Sequence, residues 1–342
     1  MLTDNQVGEI KAFLSGKKKI VLTTHMNPDG DAIGSTVAML HYLRKKGHDV
    51  KAVAPNKFPD FYKWIPGSEE IIIFEKNSTL AKQVMQEAEM VFSLDYNAFN
   101  RAGQMAEYVK AAPGKKFMID HHIEPEEGFD YYLSTTKTSS TGELVFDFME
   151  MMGDLDLLDK DMAAAIYTSI MTDTGSFSFA SNNAKTYYVS AALIEKGIDT
   201  EKIHRLVYDT FTENRLRLLG YAISERMLVW PELHAAVIYL TKEDLKRFNY
   251  QVGDTEGIVN FPLSMDGVNV SVLITEKERK VRLSFRSKGE FSVNDLARAN
   301  FQGGGHRNAA GGQTNDTVHQ TIDKIKAALE ELKNELDYKL SY

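Results

Sequence analysis

A chain of 342 residues is long enough to bury a core in each of two domains, and 43% hydrophobic with 26% charged residues is the balance of an ordinary globular protein. With no cysteine there is neither a disulfide nor a thiolate ligand, so a bound metal must be held by oxygen and imidazole, which suits Mn2+ or Mg2+ better than a structural zinc. The formal net charge of −8 speaks against a general duplex-DNA binder, though not against a nucleotide held in a locally basic cleft.

In chain order, residues 4–15 read as a helix and 19–23 as a buried strand. An amphipathic helix follows over 32–46 and stops at Gly47, the residue type expected after a helix end. Further strands are expected at 50–54, 71–74, 90–94 and 116–119, with a proline-containing loop over 55–67 and helical stretches at 81–88 and 100–111 between them. Apolar strands alternating with helices indicate an α/β fold, a parallel sheet with helices on both faces. The pattern then turns helical over 139–152, where Ser139, Ser140, Thr141 and Glu143 offer capping chemistry, and over 161–172, where Met162, Ile166 and Ile170 form a core-facing stripe. Helices are also expected at 184–196, 201–208 and 213–228. The first domain is placed at 1–199, with a helical connector at 200–228. From 229 to 342 strands at 233–240, 268–275 and 280–285, a Gly-rich loop and a long helix at 317–336 make a smaller α+β domain. No apolar run approaches a membrane span and the N-terminus lacks a signal-peptide pattern, so a cytoplasmic location is the expectation.

The turn between the first strand and its helix carries His25, Asp29 and Asp31, at the place where open α/β sheets bind their ligands. The two aspartates point at one divalent ion or at two neighbouring ones. Alone, the turn also has a plain structural reading, because Asn27-Pro28-Asp29-Gly30 is good turn chemistry and Asp is a common helix cap. Downstream residues shift the balance. Asp95 ends a strand, where an ordinary Asx turn is the competing explanation. Asp120-His121-His122 ends another, and strand alternation sends the two histidines in different directions, so that one can ligate a metal while the other faces substrate. Asp173 ends an apolar helix, where it opposes the helix dipole unless a cation is bound nearby. Four such sites at the mouth of one sheet point to a dinuclear oxygen/imidazole centre.

In the second domain, residues 270–310 hold eight Lys/Arg against four Asp/Glu. Gly303-Gly304-Gly305 lets a backbone approach a phosphate or nucleotide closely, with His306 or Arg307 to pair with it or stack on it. Arg286 ends a strand near that loop and is read as a second phosphate contact; Asn260 and Asn308 are further polar candidates.

His25-x-x-x-Asp29-x-Asp31, Asp95, Asp120-His121-His122 and Asp173-Thr174-Gly175 together resemble the four ordered motifs of the DHH phosphoesterase family. Gly303-Gly304-Gly305-His306-x-x-Ala309-x-Gly311 resembles the signature of the DHH-associated C-terminal domain, so the resemblance spans about residues 20–312. In length and architecture the chain is most similar to the stand-alone oligoribonucleases of that family, which also act as phosphatases on 3′-phosphoadenosine 5′-phosphate. The resemblance implies one divalent ion, Mn2+ or Mg2+, on His25, Asp29 and Asp95, and another on Asp31, Asp95, His121 and Asp173, with Asp95 bridging. Asp120 would orient His121, and His122 would face the substrate phosphate and assist the developing charge or the leaving oxygen. A hydroxide between ions ~4 Å apart is placed for in-line attack on phosphorus.

The implied substrates are short single-stranded RNA or DNA oligonucleotides and 3′-phosphoadenosine 5′-phosphate; a homodimer is an open expectation and a membrane partner is not expected. One departure bears on substrate choice: some relatives carry a basic residue soon after the Asp-Thr-Gly motif, where this chain has Phe177-Ser178-Phe179. The rival readings are a linear or cyclic dinucleotide phosphodiesterase, an inorganic pyrophosphatase, a single-strand DNA exonuclease and a catalytically inactive nucleotide- or RNA-binding protein.

Overall fold

In the computed structural model, which describes residues 2–278 and 280–337, the chain divides between Thr210 and Phe211 into two compact units. The first contains α1 (Asp4–Phe13), β1 (Lys19–Thr23), α2 (Gly30–Lys45), β2 (Asp49–Ala54), β3 (Ile72–Ile73), α3 (Ser78–Gln86), β4 (Met90–Leu94) and α4 (Ala106–Ala111). It continues with β5 (Lys115–Asp120), β6 (Tyr131–Ser134), α5 (Thr141–Met152), α6 (Lys160–Asp173), α7 (Ala184–Glu195) and α8 (Thr200–Tyr208). The strands form one parallel sheet in the order β3-β2-β1-β4-β5-β6. The order in which strands are added reverses between β1 and β4, the kind of switch point at whose carboxyl ends open α/β sheets bind their ligands.

Side-chain alternation layers this unit. Ile20, Leu22, Phe92 and Phe117 join the core built with α2, α5 and α6, while Val21, Val91 and Met118 join the one built with α3 and α4. Helices α2 and α6 approach closely because glycines line the contact. A Cβ on Gly34 would lie 2.5 Å from the carbonyl oxygen of Ala165, and one on Gly30 would overlap Thr172. That approach is what lets a residue of α2 meet one of α6.

Several elements depart from expectation. Helix α2 begins two residues early, because the Asp29 side chain caps it by accepting the N–H of Ala32 at 3.0 Å. The stretch expected as one helix over 100–111 is a 3-10 turn, Phe99–Met105, bent at Gly103 (φ 57°, ψ −129°), followed by α4. Strand β6 was not expected; it is four residues long and sits at the sheet edge, where half-exposed positions blur the apolar signal.

The second unit contains α9 (Glu213–Glu225), β7 (Met227–Trp230), β8 (Ala235–Leu240), α10 (Lys242–Arg247), β9 (Val270–Glu276) and β10 (Val281–Ser287). It ends with α11 (Val293–Asn300), β11 (Gly304–His306), β12 (Ala309–Thr314) and α12 (Val318–Glu331). Its sheet runs β11-β12-β10-β9-β8-β7 and is mixed, with β8 and β9 parallel. Leu296, Ile325 and Leu329 from α11 and α12 pack on Val272, Leu283 and Phe285; Leu218 and Ala222 of α9 pack on Ile238 and Leu240 of the opposite face. The two helices expected as a connector therefore lie one in each unit, since Ile203 and Val207 of α8 belong to the first unit's core. The tail of the expected 213–228 helix is β7. Among the described residues no helix is long and apolar enough to cross a membrane.

One buried charge cluster ties α9 and α10 together. Asp244 accepts from Tyr221 Oη, Arg226 Nε and Arg226 Nη2, each at 2.9 Å, and from the N–H of Thr241 at 3.0 Å. Burial pushes this carboxyl up, but the donors outweigh it and bring its pKa down to about 2. The folded value lies below the unfolded one, so the stabilisation is complete above pH 3.8 and lost as pH falls through about 2. Asp244→Ala is expected to destabilise the second unit by about 2–3 kcal/mol at neutral pH, below the range for a fully buried pair because Arg226 reaches solvent. Urea midpoints measure this, and the gap between wild type and variant should close below pH 3.8.

Candidate metal centre

Each side chain of the centre is placed by the end of a strand or helix in the first unit. His25 follows β1, Asp29 and Asp31 open α2, Asp95 follows β4, Asp120-His121-His122 straddle the end of β5, and Asp173 closes α6. Asp95 adopts a left-handed backbone (φ 64°), a conformation Asp tolerates better than most residues, and its N–H is fixed by the carbonyl of Ile119 at 3.0 Å.

The ligand atoms gather into two groups. In the first, His25 Nε2 lies 3.2 Å from Asp95 Oδ2 and 3.8 Å from Asp29 Oδ1. His25 Nδ1 lies 3.0 Å from the carbonyl oxygen of Met26, which accepts its hydrogen and leaves Nε2 free to ligate. In the second, His121 Nε2 lies 3.4 Å from Asp31 Oδ2, 3.4 Å from Asp173 Oδ2 and 3.6 Å from Asp95 Oδ1. Asp95 thus turns one carboxylate oxygen to each group.

The carboxylates are held from behind. Asp31 is 1% exposed and accepts the N–H of Thr141 at 2.8 Å, the N–H of Gly142 at 3.0 Å and the hydroxyl of Ser169. Thr141 Oγ1 donates to Asp95 Oδ1 at 3.1 Å. Sequence reasoning missed these three supports. Ser140 does cap α5 as expected, but the next two peptide N–H groups point at Asp31. The signal for Ser169 was its spacing, four residues and one helical turn before Asp173.

The electrostatics fit divalent cations. Burial, with the charges of Asp95, Asp173 and Asp29, pushes the Asp31 carboxyl well above the usual carboxylate range. Burial lowers the His25 pKa, but hydrogen bonds and charge from Asp29 and Asp95 overcome it and push the imidazole up to about 10. A protonated His25 supplies part of the positive charge these carboxylates demand. Cations held by oxygen and imidazole would meet that demand in full and leave His25 a neutral ligand.

One expected role moves. Asp120 was expected to orient His121, but its Oδ1 lies 2.7 Å from His122 Nδ1 and its Oδ2 accepts the N–H of His122 at 3.0 Å. The local turn brings the Asp120 carboxylate back onto the second histidine. Burial, reinforced by the positive charge of Arg101, holds the His122 pKa well below its ordinary value.

The candidates in the second unit lie on or beside one hairpin. The Gly-rich stretch is strand β11 paired with β12, where a loop was expected. Two of its glycines are required inside that hairpin: a Cβ on Gly303 would lie 2.3 Å from the Gly311 oxygen, and one on Gly305 2.5 Å from the Ala309 oxygen. Gly304 faces the Arg298 side chain, and Gly305 N–H donates to Asn294 at 2.8 Å. His306 ends β11, and Arg286 on β10 stands opposite Ala309 of β12, with Nη1 donating to its neighbour's carbonyl at 2.9 Å. Arg307 pairs with Glu290 at the surface, and the Asn308 amide donates to Ser287 Oγ and the Gly289 carbonyl. Asn260 is exposed on a 3-10 turn, and Arg279 lies outside the described residues.

Residues 19–170 match the family model described as DHH family, N-terminal domain, and residues 233–337 match the DHHA1 domain. The bifunctional oligoribonuclease and PAP phosphatase NrnA of Bacillus subtilis is 27% identical, over 85% of this chain and 88% of its own length. The protein of the same name from Thermus thermophilus is 28% identical, over 89% and 86%. Among solved structures, an exopolyphosphatase-related protein from Bacteroides fragilis superposes with a TM-score of 0.92 at 41% identity, covering 98% of each chain.

Proposed function

This chain belongs to the DHH family of phosphoesterases, and from that premise we propose that it hydrolyses short single-stranded oligoribonucleotides to mononucleotides and 3′-phosphoadenosine 5′-phosphate to AMP. The observation that carries the reading is Asp95, whose two oxygens face separate ligand groups 3.2 Å and 3.6 Å away. His25, Asp29 and Asp95 would hold one divalent ion, and Asp31, Asp95, His121 and Asp173 the other. Mn2+ is the first choice for this oxygen and imidazole set. When bound, such ions supply Lewis acidity, lowering the pKa of water and offsetting charge on the phosphoryl oxygens.

The protein's own contribution is positioning and proton handling. With Nδ1–H donated to the Asp120 carboxylate, neutral His122 presents a lone pair at Nε2. In this reading Nε2 takes a proton from the attacking water as the new P–O bond forms. The leaving oxygen, on the opposite side of phosphorus, takes its proton from solvent as the old P–O bond breaks. The first unit is the catalytic, metal-binding one and the second binds the nucleotide through Gly303, Gly304, Gly305, His306, Arg307 and Arg286. The names of the relatives in Bacillus subtilis and Thermus thermophilus support the substrate assignment.

The test is product analysis with Mn2+ on a ribo-dinucleotide, a five-residue RNA, 3′-phosphoadenosine 5′-phosphate, a cyclic dinucleotide, pyrophosphate and polyphosphate. Mononucleotides from the RNAs together with AMP from the bisphosphate are expected. Turnover confined to the cyclic dinucleotide, pyrophosphate or polyphosphate would leave the centre in place and overturn the substrate.

A further inference from the structure

Arg101 has no part in the reading above, yet the fold takes care to hold it at the centre. It lies on the 3-10 turn Phe99–Met105 that follows Asp95. Its carbonyl accepts the N–H of Met26, next to His25, at 2.7 Å. Gly103 lets the turn close on the same loop, since a Cβ there would lie 2.4 Å from Met26 Cε. On the other side the N–H of Phe99 donates to Glu126 at 2.7 Å, and the Asn97 amide donates to the carbonyl of Ile123 at 2.7 Å, just beyond His122. The turn is thereby fastened to the loops at the ends of both β1 and β5.

The guanidinium is close enough for its charge to act on Asp29 and on His122. Its Nη1 is buried and has no hydrogen-bond partner, and no described carboxylate forms an ion pair with it. A buried N–H with no acceptor is costly, and it persists here although the charge of the guanidinium reaches the Asp29 carboxylate. Two divalent cations against Asp29, Asp31, Asp95, Asp120 and Asp173 leave one negative charge, which would repel an anionic phosphate; Arg101 cancels it. A planar fork of N–H donors matches the oxygens of a tetrahedral oxyanion.

We infer that Arg101 contacts substrate, its guanidinium donating to a nonbridging oxygen of the scissile phosphate from the His122 side of the centre. The inference rests on the phosphoesterase reading for the word scissile, but its test does not. Wild type, Arg101→Lys and Arg101→Gln would be compared as full chains for Mn2+ binding, for orthophosphate binding to the Mn2+-loaded protein, and for kcat and KM on a ribo-dinucleotide. Arg101→Gln is expected to bind Mn2+ within about threefold of wild type, to bind orthophosphate at least about tenfold more weakly, and to lose about 10²–10³ in kcat/KM. Arg101→Lys, which keeps the charge and loses the fork, should fall between them. Unchanged orthophosphate affinity in Arg101→Gln would overturn the inference. So would a lowered thermal midpoint with lost Mn2+ sites and normal phosphate affinity per loaded site, the signature of a purely structural arginine, or a loaded wild type that binds no phosphate. Phosphate binding that depends on Arg101 in a protein that cleaves nothing would leave the inference standing and overturn the proposed function.

Discussion

Asp95→Asn is expected to lower Mn2+-dependent turnover by about 10⁴-fold or more and to remove at least one tight metal site. The carboxylate faces His25 with one oxygen and His121 with the other, so an amide that replaces one oxygen by NH2 takes a ligand from one group and aims hydrogens into it. Asn is chosen because it tolerates the left-handed backbone at this position (φ 64°) nearly as well as Asp does. A loss of activity then cannot be laid to a misfolded turn, and an unchanged thermal midpoint checks the point. Metal stoichiometry by titration calorimetry, beside steady-state rates, separates a lost ion from a slowed step. A variant that keeps full turnover and both metal sites would end the dinuclear reading.

The second large effect is expected at His122. His122→Gln should lower kcat by about 10²–10³ with Mn2+ affinity and KM close to wild type, the pattern of a group that moves a proton in the transition state. The variant loses the ring with its Nδ1 contact to Asp120, while the backbone N–H at 122 keeps its bond to the same carboxylate and holds the turn. Asp120→Asn should lower kcat less, because the amide oxygen can still accept from one of the two donors. A kcat within threefold of wild type in His122→Gln would assign the proton transfer elsewhere. Equal losses of kcat and of Mn2+ affinity would make His122 a support of the metal ligands.

The strand-end positions of His25, Asp95 and Asp120 were legible because an apolar run followed by a polar turn marks the mouth of a parallel sheet. What the chain does not spell out is which side chain turns to which. The pairing of Asp120 with His122 is decided by a rotamer in a tight turn. The hydrogen bond from Ser169 to Asp31 exists only because Gly30 and Gly34 let α2 and α6 approach, a contact between segments 138 residues apart. Strands β6 and β7 are four residues each at or near a sheet edge, too short for a period to declare itself. The Gly-rich stretch carried a true signal of close approach, and at Gly303 and Gly305 the neighbour it makes room for includes the partner strand. Arg101 gave no pattern at all, being one basic residue in a turn.

The anchoring of Asp31 by the peptide N–H groups of Thr141 and Gly142 has an evolutionary consequence. Main-chain donors survive nearly any substitution, so drift across this helix start leaves that anchor standing, with position 142 as the fixed point: a Cβ there would lie 2.1 Å from Ser169 Oγ. Position 141 is different, because its hydroxyl alone reaches Asp95. Two adjacent residues thus offer separate controls, one over geometry that heredity can scarcely erode and one over the Asp95 carboxylate, which a single side-chain change can retune. Lineages built on this scaffold can alter reactivity at 141, and substrate preference elsewhere, without first rebuilding the seat of the cation.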